Sequence, residues 1–161
     1  MAARPRLGAA LAVTLLVTGC QRDRGAGEAF LNRLDSEDYR SAYRRAPGWE
    51  TARQPTRDSP HGNYLDIYLN SVMEAAIEDG VPLEHWPEGS VIVVDAWSTP
   101  GAPNPEFLLV MEKQGRGEGW YWLEWRGADH DLVFAEESVA QCVRCHESGE
   151  DQVRSFGLPP L

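Results

Sequence analysis

The chain has 161 residues, 42% of them hydrophobic, and six are tryptophans. This length and composition indicate one folded domain and argue against intrinsic disorder. The formal net charge of −10 disfavours nucleic acid and anionic lipid surfaces as partners.

The N-terminus has the layout of a bacterial export signal. Arg4 and Arg6 precede an apolar stretch at residues 7–17, and small residues follow it. A secretory signal has this order of basic, apolar and small residues. A membrane-spanning helix needs about twenty apolar residues, so this stretch is too short to be one. The chain is therefore expected to be exported.

The residues around Cys20 resemble a lipobox, in which the cysteine receives a lipid and becomes the first mature residue. This predicts a lipoprotein signal peptide at residues 1–19, lipidation of Cys20 and an anchor linker at residues 20–27. Gln21, rather than Asp, after the cysteine favours the outer membrane, with the protein on the periplasmic side. The alternative is an ordinary signal peptide in which Cys20 occurs by chance.

The first half of the mature chain predicts a helix, a strand and a second, short helix. Apolar residues recur at helical spacing over residues 28–45, where Ser36 could cap a second helical segment. A polar loop with two prolines follows. Residues 63–69 alternate and are rich in aromatic and branched side chains, which predicts a strand. Asn70, or the serine after it, then caps a helix at residues 72–79.

The second half predicts a meander of strands that ends in a helix. The first of these strands is apolar on both faces, as in a central strand, and a glycine-rich hairpin joins the next two. The fold class is therefore α+β: an antiparallel sheet of about four strands, an N-terminal helix and a C-terminal helix, in a single domain at residues 28–161. The predicted elements are strands at residues 90–97, 106–113 and 120–125, a brief extension at 132–135 and a helix at 136–146.

Two cysteines three residues apart, followed at once by a histidine, form the attachment motif of c-type haem. On one helical turn, Cys142 and Cys145 face the same side, so both thiols can reach the two vinyl groups of one porphyrin. His146 can then supply an axial nitrogen to the iron. The motif predicts one covalently attached haem c per chain, with His146 as the metal ligand.

A redox disulfide or half of a zinc site is the alternative interpretation of this motif. A zinc site of this kind requires a second ligand pair, and the sequence has no other Cys-x-x-Cys and no His-x3-5-His. The chain has three cysteines. If Cys20 carries lipid and the other two carry haem, none remains for a structural disulfide, so the core and the haem must hold the fold.

The order of several short motifs resembles the cytochrome P-460 family, which includes hydroxylamine-oxidising P-460 cytochromes and NO-binding cytochromes c′-beta. The resemblance covers roughly residues 55–150. It implies a mostly antiparallel β fold, often dimeric, and a five-coordinate haem with His146 as proximal ligand. The matching stretches are Pro60-His61-Gly62, Tyr68-Leu69-Asn70, residues 86–93, Met111-Glu112-Lys113, residues 119–125 and the haem motif.

One departure from the family concerns a lysine that P-460 enzymes link covalently to the haem edge. The corresponding region, residues 71–90, contains no lysine here, and the only lysine, Lys113, lies on a later strand. The cross-link is tied to hydroxylamine oxidation in the family. The resemblance therefore implies the uncross-linked, gas-binding branch, although a different activity stays open.

The residue opposite His146 decides between electron carriage and ligand binding or catalysis. Core packing is the favoured role of both methionines that could fill this position, and two of the three histidines are expected at the surface. The remaining histidine, at position 61, has family support, either as a residue that lines the haem pocket or as part of a structural turn. The five candidates are Met73, Met111, His61, His85 and His130.

Two carboxylates lie within apolar predicted strands and are the candidate catalytic residues. A buried Glu124 or Asp95 could accept a proton from a substrate bound at the iron. Either could instead be an outward-facing residue on a half-exposed strand, and the sequence favours this second interpretation.

Three functions are consistent with these features. The first is a lipid-anchored monohaem cytochrome that binds small gaseous or nitrogenous ligands such as NO, or transfers electrons to a periplasmic redox partner. The second is a haem oxidoreductase that acts on hydroxylamine, NO or peroxide. The third is a structural lipoprotein whose haem only aids folding. No nucleic acid partner is expected, and the chain could form a homodimer.

Overall fold

The structure is a computed structural model that describes residues 24–57, 59–80, 85–115, 119–127 and 131–154. The predicted signal peptide and Cys20 lie outside the described residues, and so does His130. None of the helices in the described part of the chain is long and apolar enough to span a membrane. The helices are α1 (Arg24–Glu37), α2 (Tyr39–Ala42), α3 (Ser71–Glu78) and α4 (Ala140–His146).

A mostly antiparallel sheet forms the centre of the α+β fold, and it has seven strands in the described residues. Its strands are ordered β1-β3-β4-β5-β6-β7, and β2 also pairs with β3. The four long strands from β4 to β7 form a meander in which chain neighbours are also sheet neighbours. The strands are β1 (Arg44–Arg45), β2 (Gln54–Pro55), β3 (Tyr64–Leu69), β4 (Val91–Trp97), β5 (Phe107–Gln114), β6 (Gly119–Arg126) and β7 (Asp131–Glu137).

The sheet is larger than the predicted one of about four strands. Strands β1 and β2 have two residues each and pair with β3, and so short a strand carries no periodic signal. The brief extension predicted at residues 132–135 is a full strand, β7, that pairs with β6 along most of its length. Backbone pairing with a neighbour, rather than side-chain alternation, defines these three strands.

The helices also begin and end at positions that differ from the prediction. The N-terminal helix starts at Arg24, and its break lies at Asp38, which has φ 46°, rather than at Ser36. The Ser36 hydroxyl donates to the Arg33 carbonyl within the helix and does not act as a cap. The C-terminal helix starts at Ala140 instead of 136, because β7 continues to Glu137.

The prediction of the short middle helix is close to what is observed. Asn70 is its N-cap, and the Asn70 side chain accepts the backbone N–H of Met73 at 3.3 Å. The same side chain donates to the Gly89 carbonyl at 2.8 Å. Asn70 therefore both starts α3 and ties it to the turn that leads into β4.

One side of the sheet, here called the helix face, is covered by α1 and α2. Alternate residues of β4, β5 and β6 point to this side, as the two-residue period of strands requires. Leu34 of α1 packs among them with 0% of its surface exposed. The buried residues of the helix face include Phe30, Leu34, Tyr39, Tyr68, Val91, Val93, Leu108, Val110, Leu123 and Trp125.

The other side, here called the motif face, is covered by α3, α4 and the segment that follows α4. Its buried residues include the other alternating set of the same strands, so β4 is buried on both sides, as predicted. Partly buried residues of α4 pack against this cluster. The buried residues of the motif face include Leu65, Ile67, Leu69, Met73, Ile92, Ala96, Met111, Trp120, Trp122 and Phe134.

Candidate cofactor site

The Cys-x-x-Cys-His motif lies on α4 against the motif face of the sheet. Cys142 is partly buried and packs against the core cluster of this face, while Cys145 is exposed. Both are free thiols. His146 is the last residue of the helix. The motif therefore presents two thiols and one imidazole at the edge of an apolar surface.

A backbone carbonyl sets the orientation of the His146 ring. His146 Nδ1 lies 2.8 Å from the Gln152 carbonyl oxygen. Because a carbonyl only accepts, Nδ1 must carry the hydrogen, and Nε2 keeps its lone pair. The turn that makes this contact is tight, since a Cβ at Gly149 would lie 2.4 Å from the Val153 carbonyl oxygen. This arrangement leaves Nε2 as a potential metal ligand.

A buried ion pair holds this turn against the sheet. The Asp151 carboxylate accepts from Lys113 Nζ at 2.9 Å and from the Trp86 backbone N–H at 2.8 Å. The Asp151 carbonyl accepts the Trp120 indole N–H at 2.9 Å. The side chains of Lys113 and Asp151 are only 1% and 7% exposed. Asp151 is therefore a fixed support for its neighbour Gln152, whose carbonyl orients the imidazole.

Two cavities adjoin the His146 ring. The larger, of about 430 Å³, also borders Cys145 and is lined by a mixture of apolar and polar side chains that includes Arg57 and Arg154. The smaller, of about 50 Å³, borders Cys142 and is mostly apolar. His61 lines both cavities, as His146 does. The two imidazole rings therefore lie between the smaller, apolar cavity and the larger cavity, which also has polar and charged side chains.

The His61 ring centre lies 6.0 Å from that of His146. Trp122 packs edge-on against His146, with ring centres 4.9 Å apart. Burial lowers the pKa of His61, and the nearby His146 lowers it further. Burial likewise lowers the pKa of His146, although its bond to the Gln152 carbonyl opposes this. Both rings are therefore neutral near pH 7, and neutral imidazole is the form that binds metals.

These residues fit a haem. Apolar side chains line the smaller cavity and could cover the macrocycle, and two guanidinium groups line the larger one, where carboxylates such as haem propionates would be favoured. The buried Trp122 Nε1 has no hydrogen-bond partner among the described residues, which suits a wall built for a bound group. The apolar residues of the smaller cavity include Ile92, Val94, Leu109, Met111 and Trp122.

The alternative interpretations of the motif have less support from this geometry. Burial raises the pKa of the Cys142 thiol to about 11, with the charge of Glu124 adding to the effect. The thiolate is the nucleophile in disulfide exchange, so this thiol is a poor redox centre near pH 7. A zinc site needs about four ligands, and no group of three or more His, Cys, Asp or Glu side chains that could hold a metal comes together in the described ranges.

The two candidate carboxylates lie on opposite sides of the sheet. Asp95 is 0% exposed and accepts from Tyr39 Oη at 2.7 Å and from Arg40 Nε at 2.6 Å. These partners belong to α2, so Asp95 lies on the helix face and anchors that helix. Glu124 is on the motif face, opposite Leu109 in the β5–β6 register. Burial raises the pKa of Glu124, while the nearby Arg126 opposes the shift.

The remaining candidates for the position opposite His146 have separate locations. Met73 belongs to α3 and is fully buried within the core of the motif face. Met111 lines the smaller cavity from β5. His85 is largely exposed, and its Nδ1 lies 3.6 Å from the Asp151 carboxylate. Of these residues, only Met111 and His61 border the space around the motif histidine.

Several site residues carried no signal in the sequence. Gln152 acts through its backbone carbonyl, which any residue type could supply. In the sequence, Arg57 and Arg154 look like ordinary surface arginines, but in the fold they line the same cavity. Lys113 stood out as the only lysine of the chain, yet its partner Asp151 lies beyond the last predicted element, the helix at residues 136–146. These contacts exist only after strand β5 and the C-terminal segment meet.

Comparison with known proteins identifies one family. The model of the family described as Cytochrome P460 matches residues 40–154, which is more than half of the chain and extends from α2 to beyond α4. No curated protein and no solved structure matches the chain.

Proposed function

The chain belongs to the cytochrome P460 family and is thus a haem protein, and we propose that it is a c-type monohaem cytochrome anchored by lipid on the periplasmic side of a membrane. One haem is attached covalently through Cys142 and Cys145, and His146 binds its iron. The protein binds small neutral ligands such as NO, transfers electrons to a periplasmic partner, or does both.

The observation that carries this proposal is the hydrogen bond from His146 Nδ1 to the Gln152 carbonyl at 2.8 Å. It selects the tautomer whose Nε2 is free to bind iron, next to two free thiols. Metal-binding histidines characteristically donate their second ring N–H to a carbonyl or carboxylate.

The surroundings of the motif support small neutral ligands and single electrons. The haem, when bound, supplies an iron that can change its oxidation state and take a ligand. Ile92, Val94 and Leu109 exclude water from the inner side and disfavour anions there. Cys145 and the haem edge near it would lie toward the open cavity, where a redox partner can approach.

The first test is whether pigment remains with the chain after denaturation. We expect protein produced in a host competent for cytochrome c maturation to keep one haem per chain in denaturing electrophoresis. The double variant Cys142→Ser/Cys145→Ser should lose all covalent haem. Cys20→Ser is the matched control, because it removes the third cysteine and should keep the haem. Complete loss of pigment from the denatured wild type would overturn the proposal.

The second test concerns the lipid anchor. We expect Cys20→Ser to move most of the protein from the membrane fraction to the soluble periplasmic fraction, since a stably inserted lipid needs the cysteine thiol. Immunoblots of the separated fractions measure this shift. The Cys142→Ser/Cys145→Ser variant is the control and should stay with the membrane. A Cys20→Ser protein that still sediments with membranes contradicts the anchor.

A haem oxidoreductase acting on hydroxylamine, NO or peroxide is the second candidate function. The observation that favours it is Glu124, a carboxylate on the motif face whose pKa is raised by burial, which favours a role in proton transfer. Lys113 is engaged with Asp151, which gives no support to a haem cross-link at this lysine. Turnover of hydroxylamine with an artificial electron acceptor, lost in Glu124→Gln, would establish this function in place of the first.

A further inference from the structure

We propose that His61 binds the iron from the side opposite His146, so that the haem has two histidine ligands rather than one open position. This inference rests on the proposed function, because it requires a haem on the Cys-x-x-Cys-His motif. It goes further by naming the residue that controls ligand entry.

The separation of the rings matches two ligands of one metal ion. The ring centres of His61 and His146 are 6.0 Å apart, and their planes are inclined by 52°. A histidine nitrogen binds a first-row transition metal at about 2 Å, so two imidazoles on opposite sides of one ion have ring centres roughly 6 Å apart. A histidine that only hydrogen-bonds a ligand on the iron would need a larger separation, because the ligand lies between them.

The two cavities place free space on both sides of the ring pair. Both are lined by His61 and His146, the smaller on the Cys142 side and the larger on the Cys145 side. A flat macrocycle held between the two rings must extend outward in several directions, and the chain leaves room for this in two of them. Its apolar edge suits the smaller cavity, and its carboxylates suit Arg57 and Arg154 at the larger one.

The backbone around His61 is held in place by local contacts. The Thr56 hydroxyl donates to the Gly62 carbonyl at 2.6 Å, and the Ser59 hydroxyl accepts the His61 N–H at 3.2 Å. Gly62 has φ 148°, and a Cβ there would meet Ala96 of β4 at 3.3 Å. The loop therefore lies close against the sheet, and the residue before Gly62, His61, lies beside the motif histidine. His61 is positioned before any ligand binds.

The proposal has different consequences for electron transfer and for the binding of gaseous ligands. With both axial positions filled by histidine, the iron passes electrons with little change in its surroundings. A gas such as NO must displace His61 before it binds. If His61 occupies the iron in about nine of ten molecules, the apparent affinity for a ligand at this position falls roughly tenfold.

The experiment compares the holoprotein with two variants by absorption and by electron paramagnetic resonance at low temperature. We expect the wild type to be low-spin in both oxidation states. His61→Ala should be high-spin and should bind CO roughly tenfold more tightly than the wild type. Met111→Leu is the matched control, because it removes the other potential ligand of the cavity at nearly constant volume and should stay low-spin.

Each alternative outcome has a distinct meaning. A wild type that keeps covalent haem but is high-spin overturns this inference and leaves the proposed function standing. A low-spin signal that persists in His61→Ala but disappears in Met111→Leu assigns the position to methionine and also overturns it. Absence of covalent haem overturns the proposed function itself. If His61→Ala does not fold, near-infrared magnetic circular dichroism of the wild type still separates a histidine pair from a histidine and methionine pair.

Discussion

Replacing Lys113 by methionine is expected to lower the free energy of unfolding by about 3–5 kcal/mol, because it leaves a buried carboxylate without its cation. The Asp151 side chain is 7% exposed, and Lys113 Nζ lies 2.9 Å from it. Methionine keeps most of the length of the lysine side chain, so the loss of charge dominates over the loss of packing. Urea denaturation of the holoprotein, followed by tryptophan fluorescence, measures the change. Such a loss is a large share of the stability of a typical domain, about 5–15 kcal/mol.

Two further variants test whether the loss of stability comes from the burial of this ion pair or would follow the loss of any ion pair. Arg44→Met removes a cation that is 59% exposed and pairs with Glu74 and Glu78, so we expect a cost of only about 0–1 kcal/mol. The double variant Lys113→Met/Asp151→Asn removes both buried charges and should recover much of the loss. A Lys113→Met protein as stable as Arg44→Met would show that the pair does not hold the turn.

His146→Gly is expected to change the absorption spectrum of the haem iron strongly while the haem stays attached to Cys142 and Cys145. The spectrum should change because the variant removes the imidazole that the motif supplies as a ligand and leaves an empty space beside the metal. Added imidazole should enter this space and restore most of the wild-type absorption. Visible absorption spectra with and without imidazole make the measurement.

His85→Gly is the control for this variant, because its side chain is 59% exposed and lies outside both cavities around the motif. Its spectrum should equal that of the wild type. An unchanged spectrum in His146→Gly would show that another residue binds the iron on this side. A changed spectrum that imidazole does not restore would point to a disrupted α4 instead of a lost ligand.

Much of the sheet was predictable because its central strands have clear local patterns. Val91 to Trp97 has apolar residues on both faces, and a glycine-rich stretch of sequence separates the apolar runs that form β5 and β6. The extent of β7 was not predictable, because its residues pair with β6 across a register shift near Glu124. The start of α4 followed from this, since residues engaged in β7 cannot also form a helical turn.

The candidate site was predictable in its chemistry but only partly in its geometry. Cys142, Cys145 and His146 are recognisable because the spacing that haem attachment needs lies within five consecutive residues. Glu124 and Asp95 looked alike in sequence, as single carboxylates in apolar strands. They face opposite sides of the sheet because Asp95 is paired with Leu108 and Glu124 with Leu109, and successive residues of a strand point to opposite faces.

The amino-acid sequence was enough to recognise the haem protein family, the motif that carries the thiols and imidazole, and the alternation that builds the sheet. These are local properties, set by side chains within a few positions of each other. The packed fold was needed to establish which nitrogen of His146 is free, which residue faces its ring and what supports the turn behind it. Lys113 and Asp151 are 38 residues apart in the chain, and His61 is farther still from the motif. Contacts of this kind depend on how the strands and the C-terminal segment pack, because burial and distance in space are not encoded in the spacing of any single segment.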